Sequence, residues 1–156
     1  MYITYFRANL HMALPKYPLK IQTVDEQKQV WDFLRKKWLV LTPEEEVRQC
    51  LLHYLVEEKQ VSPALISIER EISYYKLRKR FDVVVFDSDG KPFIVCECKA
   101  PAVKLSQEVL YQIARYNATL KAPHLLLTNG KGLLFFSANE KGGYDFREDG
   151  WYEKDK

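Results

Sequence analysis

The chain has 156 residues, of which 47% are hydrophobic and 29% charged, and a formal net charge of +3. That length suits one domain able to bury about two-thirds of its unfolded surface. No run approaches the roughly 18 apolar residues of a membrane span and no secretory signal pattern opens the chain. The cysteines, Cys50, Cys96 and Cys98, have no disulfide-framework spacing, so a reducing cytoplasm is the expected setting.

Residues 1–20 carry Pro15 and Pro18 and show no regular pattern, while 30–41 (VWDFLRKKWLVL) are apolar. Together 1–41 read as an N-terminal arm that packs on the domain. In TPEEEVRQCLLHYLVEEK, Thr42 is suited to cap a helix and Pro43 to its first position, and Glu44, Glu45 and Glu46 fill the first turn. Val47, Leu51, Tyr54 and Leu55 recur at helical spacing, which predicts an amphipathic helix to about Lys59.

Strands are predicted over 65–75, 81–86 (FDVVVF) and 92–98 (PFIVCEC), the last two joined by DSDGK, where Asp-Gly is a hairpin signal. A second helix is predicted over 106–120, with Leu105, Val109, Ile113, Tyr116 and Leu120 on its apolar side. Short strands follow over 124–128 and 133–138. The tail from 140 to 156 is polar and is expected to be mobile. The resulting order, α-β-β-β-α-β-β, places helices against a mixed sheet and bounds a core domain at 42–139.

With Asp89 and Gly90 at the centre of the turn, Phe86 faces Phe93, Val84 faces Val95, and Asp82 faces Glu97. Asp82, Glu97 and Lys99 then share one face of the sheet, whereas a bulge would send Asp82 to the other. Two carboxylates 4–5 Å apart repel by roughly 3–4 kcal/mol at an effective dielectric near 20. A hard divalent cation reverses that sign, and all-oxygen ligands suit Mg²⁺ or Mn²⁺. Lys99 beside such a cation can orient a water or stabilise charge on a phosphate. The same residues also admit a metal-free network, with Asp82 paired to Arg80 or Lys99 and Glu97 to another base. The basic run Lys76, Arg78, Lys79, Arg80 is a solvated edge or, beside these acids, a phosphate-binding patch. Cys96 and Cys98 lack a second close pair and read as buried small hydrophobes rather than zinc ligands.

Asp82, fourteen intervening residues and Glu97-Cys98-Lys99 resemble the D-(x)n-(D/E)-x-K signature of the PD-(D/E)xK nuclease superfamily, with Phe81 in place of its proline. Longer stretches, LTPEEEVRQ (41–49), RFDVVVFDSDGKPFIVCECKAP (80–101), LSQEVLYQIARYN (105–117) and LKAPHLLLTNG (120–130), resemble the N-terminal nuclease domain of type I restriction enzyme R subunits. Gln112 and Tyr116 match a Q-x3-Y motif of such nucleases. The resemblance implies a restriction-endonuclease-like α/β fold with an αβββαβ core, and a Mg²⁺- (or Mn²⁺-) dependent DNA endonuclease. Asp82 and Glu97 become metal ligands, Lys99 catalytic, and Gln112 and Tyr116 positioning residues. A helix glutamate is expected to join the metal; Glu44 is preferred because it shares the Val47/Leu51/Leu55 stripe, with Glu45 next, although a helix N-terminus favours all three acids equally. Arg48, one turn on, can pair with Glu44. Arg78, Lys79, Arg80 and Lys104 are the candidate DNA-binding cations, and DNA with restriction-modification or motor subunits are the implied partners. No G-x-x-x-x-G-K-[ST] is present, so ATP-driven translocation is not expected of this chain. The modest net charge keeps open an alternative, a non-catalytic nucleic-acid-binding or assembly module on the same fold.

Overall fold

The computed structural model describes residues 12–74 and 77–147, without the side chains of 70–79. The second half of the expected arm, from Ile21 to Val40, forms a sheet. β1 (Ile21–Val24), β2 (Gln27–Asp32) and β3 (Lys37–Val40) form a three-stranded antiparallel meander. Its inner side buries Val30 and Asp32 completely, while Trp31 and Trp38 meet edge-on across β2 and β3.

The first helix, α1 (Pro43–His53), starts as its sequence predicts: Thr42 Oγ1 accepts from the Glu45 N–H at 3.0 Å, and Pro43 occupies the first turn. A π-helical turn, Tyr54–Glu58, continues it to the expected end. After a 3-10 turn at Pro63–Leu65, β4 (Ile66–Tyr74), β5 (Leu77–Phe86) and β6 (Pro92–Cys98) form an antiparallel meander. The second helix, α2 (Gln107–Leu120), is capped by Ser106 and carries the chain over to β7 (His124–Thr128), which pairs parallel to β6. β8 (Leu133–Ala138) and β9 (Tyr144–Phe146) complete a mixed sheet in which the strands lie in sequence order.

Both faces of this sheet are covered, which sorts its side chains into two cores. Val47, Leu51, Leu52 and Leu55 pack with Val83, Val85, Ile94, Cys96, Cys98, Leu126 and Phe135 on one side. On the other, Leu110, Ile113 and Ala114 of α2 pack with Val84, Val95, Leu125, Leu127, Leu134 and Phe136. Burying each large aliphatic or aromatic side chain contributes roughly 1.5–3 kcal/mol, so the central strands hold the scaffold that carries the charged residues. The architecture is α/β and restriction-endonuclease-like.

Three expectations change. The β5–β6 register is as read at Val84–Val95, but it shifts between Val85 and Phe86, and Phe86 pairs with Pro92 instead of Phe93. The cause lies in the turn: Asp87 Oδ1 accepts from the N–H groups of Asp89 and Lys91, which makes a longer loop than Asp89-Gly90 alone. Strand β5 begins at Leu77, earlier than Phe81, because β4 pairs with its first residues, from Tyr74–Leu77 to Arg70–Phe81. The polar tail contributes β9, an edge strand held on β8 through Phe136–Phe146 and its neighbours; the rest of the tail, from 148 on, lies outside the described residues.

Candidate active site

Regular pairing of β5 with β6 ends at Val83–Cys96. One residue further, Asp82 meets β6 through its side chain: the Cys98 N–H donates to Asp82 Oδ2 at 2.7 Å. The β4–β5 ladder is interrupted at the same level. Pairs run from Ile66–Val85 to Ile68–Val83 and resume at Arg70–Phe81, skipping Glu69 and Asp82, and Glu69 takes a left-handed φ of 54°. That conformation is uncommon for a non-glycine residue and marks local strain.

The distortion turns Asp82 off the face that strict alternation assigns it. Phe81 packs with Val84 rather than with Val83 and Val85, and the Asp82 carboxylate reaches α1 instead of the Val84 side. Its ion pair is with Arg48, whose Nη2 lies 2.8 Å from Asp82 Oδ1. Glu97 keeps the strand parity of Val95, is 5% exposed, and has the Lys99 ammonium 3.5 Å from its Oε1. The expected grouping of Asp82, Glu97 and Lys99 on one face therefore becomes two ion pairs, Asp82 with Arg48 midway along β5 and Glu97 with Lys99 at the end of β6. Burial, and then the negative charges of Asp82 and Glu97, push the Cys96 thiol up, and the same influences raise Cys98. Both cysteines are thus inert small hydrophobes.

Arg48 is the hub of a larger cluster. Its Nη1 lies 2.9 Å from Glu45 and 3.5 Å from Glu69, and its Nη2 is 3.5 Å from Glu44. Arg35, in the β2–β3 loop, forms a second fork: Nε to Asp32 at 2.8 Å, Nη1 to Glu69 at 2.9 Å, and Nη2 to Glu45 at 3.6 Å. Five carboxylates, Asp32, Glu44, Glu45, Glu69 and Asp82, thus surround two guanidiniums. Burial lowers the affinity of Arg48 for its proton, but the charges of Asp82 and Glu45 overcome this and hold it above the ordinary value. Burial raises Glu45, with Arg48 and Arg35 opposing. Arg48 Nε and Gln49 Oε1 are buried with no hydrogen-bond partner, so the cluster's polar capacity is not exhausted.

Of the three helix acids, Glu45 is the buried one, and Glu44 stands at the rim with its side chain 45% exposed. Glu46 lines a different, largely apolar cavity with Ala13, Leu14 and Val47. Gln112 is exposed on α2, and Tyr116 is half-buried against the second core. Arg80 and Lys104 are exposed, whereas the side chains of Arg78 and Lys79 lie outside the described residues. An open cleft of about 530 Å³, lined by Val40, Glu44, Glu45, Arg48 and Ala100 among others, gives solvent access to the Arg48 end of the cluster. Glu69, Arg35, Asp32 and Gln49 were not anticipated from the sequence. Arg48 was, but only as a partner of Glu44.

The donor set can be tested against a divalent cation. Asp82 and Glu97 are hard oxygen donors, nearly buried on adjacent strands, and Mg²⁺ is commonly held by one or two carboxylates while keeping several waters. By donor chemistry the two carboxylates suit that mode, each being held here by a cationic side chain, Arg48 or Lys99. A third ligand is not gathered: among the described residues no group of three His, Cys, Asp or Glu is arranged to hold a metal ion, and Glu44 meets Asp82 only through Arg48.

A family profile described as type I restriction enzyme R protein N terminus matches residues 43–149, most of the chain. The chain belongs to that family. Its match covers α1, the six-stranded sheet and α2, and begins after the three-stranded sheet that supplies Asp32 and Arg35. No curated protein sequence matches the chain at a significant level. No helix among the described residues is long and apolar enough to cross a membrane.

Proposed function

We propose that this chain is a divalent-cation-dependent DNA endonuclease of the PD-(D/E)xK type, acting alongside the other subunits of a type I restriction system. The observation that carries the reading is that two nearly buried carboxylates, Asp82 and Glu97, stand on adjacent strands, with Lys99 3.5 Å from the second. Membership of the restriction R-protein family supports the choice of DNA as substrate. Asp82 and Glu97 would hold Mg²⁺ or Mn²⁺, which when bound supplies Lewis-acid activation of a water and of a phosphate oxygen. Glu97 keeps the Lys99 ammonium at the strand end, where it stabilises charge developing on the scissile phosphate. Arg80 and Lys104 are exposed and would meet neighbouring phosphates, and Gln112 and Tyr116 of α2 are assigned the positioning of site or substrate.

A second reading, a nucleic-acid-binding or assembly module without catalysis, is favoured by one observation: Asp82 is already neutralised by Arg48. Cleavage of supercoiled plasmid and of single-stranded DNA, with Mg²⁺ or Mn²⁺, compared between wild type and Lys99→Ala, separates the two. The nuclease reading expects metal-dependent nicking that falls at least 100-fold in the variant. Metal-independent DNA binding without cleavage, the same in both proteins and unchanged by added motor subunits, would establish the module instead.

A further inference from the structure

Resting on the metal-site reading above, we infer that Arg48 is a built-in occupant of the cation position at Asp82 and that a divalent ion must exchange with it. Asp82 has one oxygen on the Cys98 N–H and the other on Arg48 Nη2 at 2.8 Å. A divalent cation on that carboxylate would face a fixed positive charge sharing its ligand, so the two compete for Asp82. The cluster is built to let the guanidinium go. Arg48 keeps Glu45 at 2.9 Å and has Glu44 at 3.5 Å, so releasing Asp82 leaves it with acidic partners. Its Nε has no partner to hold it back. The cleft lined by Glu44, Glu45, Arg48 and Ala100 gives the guanidinium open space to move into. Two guanidiniums among five carboxylates leave the cluster with excess negative charge, which favours the arriving cation. Arg48 thus keeps buried acids paired while no metal is bound and sets a threshold for metal loading.

The test is binding of Mn²⁺ alone, followed by calorimetry and by electron paramagnetic resonance, so that it does not depend on cleavage. Arg48→Gln should bind Mn²⁺ at least tenfold more tightly than wild type, and Arg48→Lys, which keeps the charge, within threefold of wild type. The double variant Glu45→Gln/Arg48→Gln keeps the cluster's total charge unchanged. It should still gain at least tenfold, because what matters is the charge seated on Asp82; with acid and base neutralised together, it also stands in should Arg48→Gln not fold. A measurement on wild type needs no variant: saturating Mg²⁺ should speed solvent exchange of the Arg48 guanidinium protons at least tenfold as the group leaves its buried seat. Unchanged or weaker Mn²⁺ binding in Arg48→Gln and in the double variant, beside measurable binding by wild type, would show a fixed structural pair. That overturns the exchange and leaves the nuclease reading standing. A gain that persists when Asp82→Asn is added would put the metal elsewhere and also overturn it. No Mn²⁺ binding by any of these proteins would remove both readings.

Discussion

Asp32 offers the sharpest test of how the N-terminal sheet is fastened to the rest of the fold. It is fully buried and accepts four hydrogen bonds: from the backbone N–H groups of Leu34 at 3.0 Å and Arg35 at 2.8 Å, from Arg35 Nε at 2.8 Å, and from Gln49 Nε2 on α1 at 3.1 Å. Burial alone would raise its pKa. The bonds from the Arg35 backbone and side chain and from Gln49 outweigh that and hold the carboxyl below its ordinary value. Substituting Asp32→Ala removes the charge and all four acceptor contacts at once. Breaking a buried ion pair by deleting one partner costs about 3–5 kcal/mol. Arg35 is partly exposed and retains Glu69 and Glu45, so the cost belongs near the lower end, about 3 kcal/mol. In a domain of this size each kcal/mol moves the melting temperature by about 2–4 °C, so the expected fall is about 6–12 °C. Thermal unfolding followed by circular dichroism at pH 7 measures it. Asp32→Asn, which keeps an acceptor for the loop N–H groups, should lose less. Because the folded pKa is depressed, the difference between wild type and variant should be fully present above the unfolded value of 3.8 and should close only as pH falls below it. A fall under about 3 °C at pH 7 would mean that the three-stranded sheet is fastened by its apolar contacts and that the Asp32 network is incidental to stability.

Two further perturbations probe the scaffold. His124 is buried against Phe93 and Phe135, and burial, followed by the charge of Arg147, lowers its pKa from 6.5 to about 4. A depressed histidine favours the folded state above the unfolded pKa, so wild type should lose roughly 2 kcal/mol between pH 7 and pH 5. Denaturant titrations at both pH values should show that loss shrinking in His124→Gln, and an equal loss in the variant would assign it to other groups. Lys121 ends α2 in the left-handed region, at φ 56°, with its side chain in solvent. Lys121→Gly should therefore raise stability by about 0.5–1 kcal/mol, read as a higher melting temperature; a decrease would show that the lysine side chain contributes more than its backbone strain costs.

The central sheet and both helices were legible because their signals are local. β6, β7 and β8 lie where short apolar runs end in turn residues, and each helix begins at its capping Thr42 or Ser106. The three-stranded sheet was not legible, for equally local reasons. The β1–β2 turn places Asp25 and Glu26 at positive φ without a glycine, so the usual hairpin signal is missing. In β2 a buried aspartate also stands where an apolar residue should mark the inner face. Spacing singled out Asp82, Glu97 and Lys99 as candidates, since a two-residue period and a hairpin turn relate positions along neighbouring strands, but it grouped them on one face where the structure pairs Asp82 with Arg48 and Glu97 with Lys99. It could not find the residues that hold Asp82. The i+3 and i+4 relations tie Arg48 to Glu45 and Glu44, but only the packing of α1 on the sheet takes its second nitrogen to Asp82. Glu69 looks like any polar residue midway along a strand; it joins the cluster because the ladder breaks there and its backbone turns left-handed. Arg35 and Asp32 come from before residue 43, where the family match begins. The ion-pair network that holds Asp82 therefore draws partly on a segment outside the family match. A chain that kept every motif residue but lost that sheet would be expected to hold Glu45, Glu69 and Arg48 less firmly, and with them Asp82.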